Sequence, residues 1–141
     1  HDFVTDGDIC GLCVFLYCTA GRSYSSSEPH GSWGFGMLYD NVKAPLTIRY
    51  TKRTIPVWCG AFCCLWNCEG MFIVQKPPTA QNWAIGHIGE YDMIHNIPLI
   101  DFSKEKGFIE SQGQHVHPPS LYLTQLKERL GEEALSNIAK E

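Results

Sequence analysis

Short apolar runs recur along this chain, each followed by a small or polar residue. "VFLYCTA" (14–20), "MLYDNVK" (37–43), "CLWNCEG" (64–70) and "WAIGHIG" (83–89) are four such segments. Aligned as quoted, they place Cys18, Asn41, Cys68 and His87 in one slot, with steps of 23, 27 and 19 residues. A strand of about four residues cannot bury its apolar face alone. Repeats at this spacing instead predict a β-solenoid, in which each coil contributes one short strand and hydrogen-bonds to the coils above and below. The pattern predicts about four to five coils, with Phe15, Leu38, Leu65 and Ala84 in register and the slot residues stacked as an interior ladder.

Between these strands the pattern changes. "GRSYSSSEPHGSWGFG" (21–36) is rich in Ser and Gly and reads as a long excursion. "KAPLTIRYTKRTIPVW" (43–58) alternates, with Ile48 and Tyr50 on one face and Arg49, Thr51 and Arg53 on the other. "VQKPPTAQN" (74–82) is a Pro-Pro bend, and "PLIDFSKEKGFIES" (98–111) reads as a further strand-turn-strand. The period then becomes helical. Ser120 is the expected N-cap after two prolines, Leu123, Leu126 and Leu130 form a stripe, and Gly131 separates a second short helix carrying Ala134, Leu135 and Ile138. The expected fold is all-β, a right-handed parallel β-helix over 1–112, with a C-terminal helical cap in 113–141 that covers the last coil.

Composition narrows the options. A chain of 141 residues with 44% hydrophobic and 18% charged residues is one globular domain. Its formal charge of −4 and lack of a basic run give no footprint for nucleic acid. No stretch approaches the roughly 20 apolar residues that span a bilayer. The sequence opens at His1 without an initiator Met, so it is read as a mature product or a piece of something longer.

The 7 cysteines are odd in number, so at least one is unpaired within the chain. Cys64 and Cys68 lack the compact spacing of ribbon-type zinc sites, and no Asn-x-Ser/Thr sequon supports disulfide formation along a secretory route. The cysteines are therefore expected to fill coils as small apolar groups, with any disulfide pairing open. Two histidine patterns offer metal chemistry. "HVH" (115–117) puts two imidazoles on one side of an extended segment, and here reads as a polar approach to the helix. A processed N-terminal His1 would hold copper only with a second facing histidine, and no metal is expected.

"HDFVT", "VFLYCTA", "LYDNV", "LWNCEG", "PPTAQNWAIG" and "SLYLTQLKERLG" occur in an order that resembles the C-terminal part of secreted, pectate-lyase-like right-handed β-helix proteins. The resemblance covers nearly the whole chain and implies an extracellular protein whose longer relatives carry further coils on the N-terminal side. It also implies binding or lyase-like cleavage of an acidic polysaccharide, with calcium as the cofactor if lyase chemistry is present. Such chemistry needs a cation to neutralise the sugar carboxylate and a base, commonly Arg or Lys in that superfamily, to take the α-proton. In this sequence Arg49, Lys52 and Arg53 form the main basic cluster, with Arg49 and Arg53 on one face by alternation, so Arg49, Arg53 and His30 are the expected catalytic residues and Lys52, Trp33 and Trp58 the expected substrate contacts, with Asp40 approaching the same face.

The chain also departs from the family pattern. "HGSWGFG" (30–36) has Gly31 and Ser32 where a second His and an Arg are usual, "PVWCGAFC" (56–63) lacks the usual His, and His87 stands where Cys is common. The fold transfers under these changes; a catalytic inheritance does not. The alternative reading is a non-catalytic solenoid that stacks head-to-tail, as a homo-oligomer or filament, through an uncapped N-terminal coil.

Overall fold

The computed structural model describes residues 1–6, 11–30, 34–52, 56–91 and 100–138. In chain order the elements are β1 (Val14–Leu16), β2 (Gly34–Phe35), β3 (Leu38–Asp40), β4 (Leu46–Ile48), β5 (Tyr50–Thr51), β6 (Val57–Trp58) and β7 (Gly60–Ala61). They continue with β8 (Cys64–Trp66), β9 (Phe72–Val74), β10 (Trp83–Ile85), β11 (Phe108–Glu110), α1 (Leu121–Leu130) and α2 (Glu132–Ile138).

Five of these strands stack in parallel in the order β1-β3-β8-β10-β11. Two smaller parallel pairs, β4–β9 and β2–β7, form the other walls of each coil. The result is a parallel β-solenoid of about three turns with two helices at its C-terminus. The turns are fewer than the repeat count predicted, because that count numbered the stacked strands rather than the coils between them.

The register corrects the alignment in one copy. Val14 pairs with Leu38, Leu38 with Cys64, and Cys64 with Trp83. The second segment therefore begins at Leu38, not Met37. The inner column runs Cys18, Val42, Cys68, His87 rather than through Asn41, and Phe15, Tyr39, Leu65 and Ala84 fill the layer before it. A slip of one residue exchanges the two faces of a strand, and here it decides which polar residues the corner receives. Tyr17, Asn41, Asn67, Gly86 and Ser111 stack at that corner with φ between 50° and 68°. Each turns the chain out of the large sheet through a left-handed bend, a conformation that Asn and Gly adopt at low cost.

The core lies between the walls: Met37, Tyr39, Val42, Leu46, Ile48, Leu65, Phe72, Val74 and Ala84 are buried together with Cys63 and Cys68. Where β3, β8 and β10 leave the corner, Ala44, Gly70 and the turn at Gly89 come close together. A Cβ on Gly70 would sit 2.4 Å from the Ala44 carbonyl oxygen, so the close approach of coils there requires glycine.

The Ser-rich excursion is not wholly external. Ser26, Ser27, Glu28 and Pro29 are buried, and bridges join Ser27 to Leu46 and Pro29 to Thr5. Of the 98–111 strand pair, Phe108–Glu110 joins the stack, Ile100 bridges antiparallel to Thr51, and the residues before Ile100 back to 92 lie outside the described ones.

The tail supplies the expected helices, with Ser120 Oγ accepting from the Leu123 amide at 3.1 Å. Its anchorage is at β3 rather than at β11. Residues 116–122 run back along the corner column, where Asn67 bonds to both the N–H and the C=O of Val116, and the Trp66 indole donates to the Pro118 carbonyl. Asn41 donates to the Pro119 carbonyl. No residue of either helix is buried, and Leu130 is 65% exposed. Among the described residues, no helix is long and apolar enough to cross a membrane.

Candidate functional site

Two features of the coil walls hold chemistry. The first is a polar cluster on the outward side of β4. Leu46 and Ile48 belong to the core, so the intervening Thr47 and the following Arg49 lie on the opposite side of the strand, as the alternation predicts. That side is not a solvent face. Arg49 is 3% exposed and its guanidinium grips Glu28, with Nε donating to Oε2 at 2.9 Å and Nη2 to Oε1 at 3.3 Å. Thr47 donates to Oε2 at 2.8 Å and in turn meets Ser26 Oγ at 2.9 Å. The expectation of an exposed cationic face at Arg49 is thus corrected. Residues 26–29 lie beside β4, and Glu28 takes up the positive charge.

His30 stands at the edge of this cluster, with Nδ1 3.3 Å from Glu28 Oε1 and its ring centroid 5.0 Å from that of His1. His1, Glu28 and His30 each offer one donor atom within 4.8 Å of the others, a metal-capable group among the described residues. Glu28 thereby connects two residues singled out in the sequence, Arg49 and His30, although it was not singled out itself. Its only sequence signal is a carboxylate beside Pro29 in a serine-rich stretch.

The second feature is an aromatic cleft of about 450 Å³, lined by Phe35, Trp58, Gly60, Ala61, Phe62 and the Pro77–Ala80 bend. Gly34–Phe35 and Gly60–Ala61 pair side by side, which brings Phe35 against Phe62 edge-to-face at 5.3 Å. Phe62 turns the chain with φ of 55°, and its ring lies 6.3 Å from Trp83. Trp58 closes the other side, edge-on to Tyr50 at 5.4 Å. Phe35 and Phe62 remain 48% and 44% exposed despite these contacts. Of the aromatic rings that line the cleft, Trp58 was singled out in the sequence and Phe35 and Phe62 were not. Their signal is the pair of glycine-led aromatic steps, "GFG" and "GAF".

The other expected residues fall elsewhere. Lys52 is exposed, follows the ribbon that carries Tyr50, and pairs with Asp101 at 3.5 Å. Asp101 is held below the usual carboxylate range by its bonds to Ser103 and, to a smaller extent, by Lys52. Arg53 and Trp33 lie outside the described residues. Asp40 does not approach Arg49; it is buried at the corner and accepts from Ser120 Oγ, the Tyr122 amide and Asn41 Nδ2 at 2.7–2.8 Å. His115 lies 3.6 Å from Glu69, and the HVH segment forms the approach to α1.

Among the described residues, Cys13, Cys18, Cys63, Cys64 and Cys68 are free thiols. Burial pushes the Cys63 thiol up to about 11 and those of Cys64 and Cys68 up to about 12, which leaves them protonated and poor ligands. Cys63 and Cys68 lie in the core with Cys13 and Cys18 packed against it, as the small interior groups that the repeat implied.

No protein-family model, curated protein or solved structure matches the chain.

Proposed function

We propose that this solenoid is an extracellular glycan-binding protein of the pectate-lyase-like β-helix kind, whose ligand, an acidic polysaccharide, lies in the aromatic cleft. The observation that carries this reading is the half-exposed Phe35–Phe62 pair facing Trp58. Exposed, contiguous aromatic rings on a rigid wall mark interaction surfaces, and their flat faces suit the C–H faces of pyranose rings. Lys52 follows Thr51, which pairs with Val57 next to Trp58, and a sugar carboxylate near this side of the cleft would compete with Asp101 for it.

Binding is favoured over cleavage by the state of Arg49. An arginine held by a buried carboxylate is not free to neutralise a uronate or to take a proton. Trp58→Ala and Phe62→Ala, each removing a stacking ring, are expected to weaken binding of acidic oligosaccharides at least tenfold in titration calorimetry, with the β-sheet circular dichroism spectrum retained. No unsaturated product should form in an absorbance assay. Equal affinity in wild type and both variants sinks the cleft assignment, and product formation replaces binding with lyase activity. A second reading, head-to-tail stacking of copies, rests on the outer edge of β1, where Leu12 and Val14 are exposed. Sedimentation separates the two, because a stack grows with protein concentration and a glycan-binding monomer does not.

A further inference from the structure

Going beyond glycan binding, we propose that His1, Glu28 and His30 form a binding site for a divalent transition-metal ion of borderline softness, with zinc the simplest probe. The three side chains come from two places in the chain that the fold brings together. The Thr5–Pro29 bridge and the bond from the His30 amide to the Thr5 carbonyl (2.8 Å) hold the first residues against 27–30. The Phe3 amide bonds to Ser27 Oγ at 3.0 Å, which fixes the same junction from the other side.

The distance between His30 and Glu28 fits ligation better than hydrogen bonding. His30 Nδ1 and Glu28 Oε1 are 3.3 Å apart, longer than a good N–H···O contact. Two donors that each lie about 2.0–2.1 Å from one tetrahedral zinc are separated by roughly that same 3.3 Å. One ion between them would replace a loose contact with two metal bonds.

The surroundings supply the outer contacts that metal sites use. His1 Nδ1 lies 2.6 Å from the Ser26 carbonyl oxygen, which takes the Nδ1 proton and leaves Nε2 as the free donor. Glu28 is locked by Arg49 and Thr47, mostly through Oε2, so Oε1 is the less committed oxygen. Two imidazoles and one carboxylate are a donor set for zinc, nickel or copper; calcium prefers an all-oxygen shell. His1 is exposed and Glu28 buried, so an ion enters from solvent and meets a fixed carboxylate, with water completing the shell.

The test is titration of the full chain with zinc chloride by calorimetry, together with cobalt(II) absorption in the visible region. One ion per chain and tetrahedral cobalt bands are expected. His1→Ala and His30→Ala should each lower affinity at least tenfold, while His115→Ala, outside the cluster, should leave it unchanged. Acetylation of the terminal amine should also leave binding intact. No saturation at millimolar zinc, equal affinity in both histidine variants, or loss of binding on acetylation overturns the assignment. Because the site shares no side chain with the aromatic cleft, its failure leaves the glycan reading standing, and the reverse.

Discussion

Glu28 and Asp40 are both buried carboxylates on the walls of one solenoid, and they are neutralised by different means. Glu28 meets a full positive charge, Arg49, and keeps one oxygen near two histidines. Among the described residues, the hydrogen-bond donors to Asp40 include no cation. It is held by a hydroxyl, a side-chain amide and a backbone N–H at the start of α1, where the helix dipole also favours negative charge. The difference teaches that a buried charge is not by itself a catalytic sign. Asp40 fastens the tail to the coil, and only Glu28 sits where a solute can reach its neighbours.

The largest effect is expected from removing Glu28. Glu28→Ala strands Arg49 in the interior and should cost about 3–5 kcal/mol in urea denaturation. Adding Arg49→Met to a Glu28→Leu chain should recover most of that loss, because a shape-matched apolar pair replaces a buried ion pair at little cost. No recovery would mean that the cluster supports the wall in some way other than by charge.

Asp40→Ala is the matched experiment at the other carboxylate. It should cost about 2–3 kcal/mol, the worth of bonds to a charged acceptor. Proteolysis should then clip residues 113–131 while the coils resist. Equal protection of the tail in both proteins would end the view that Asp40 fastens it.

A smaller effect comes from a buried group that forms no salt bridge among the described residues. The His87 ring lies against Phe72, its Nε2 bonds the Gly70 carbonyl at 2.7 Å, and its Nδ1 has no hydrogen-bond partner among the described residues. Burial lowers its affinity for a proton below the ordinary value of 6.5, with His115 adding to the shift and the Gly70 bond and Glu69 opposing it. Between that value and the lower folded one, the unfolded chain binds more protons than the folded one, so stability falls as the pH drops. The melting temperature should be lower at about pH 5 than at about pH 7.5, and His87→Leu should flatten the difference. A profile unchanged by that substitution would move the pH sensitivity to the carboxylates.

The solenoid was legible because its strands repeat a compact apolar pattern, and three of the four copies were aligned as they stack. The copy at 37–43 slipped because Met37 and Leu38 are both apolar; only the neighbouring strands choose between them. The facing of Arg49 followed from alternation, but its burial did not. Alternation tells which side of a strand a residue takes and says nothing of what the neighbouring coil sets beside it, here Glu28 in the Ser26–Pro29 stretch bridged to β4. The cleft was half legible. Tryptophans attract notice in a sequence, whereas Phe35 and Phe62 meet only because β2 and β7 pair across 26 residues.

The clasp at Asp40 also orders events during synthesis. The carboxylate and the donors that satisfy it at Ser120 and Tyr122 are 80 and 82 positions apart. A ribosome adding residues in order makes β3 long before those donors exist. Until they emerge, this corner of the growing chain must stay open to water, so the seam at Asp40 closes only after residues 120–122 have been made.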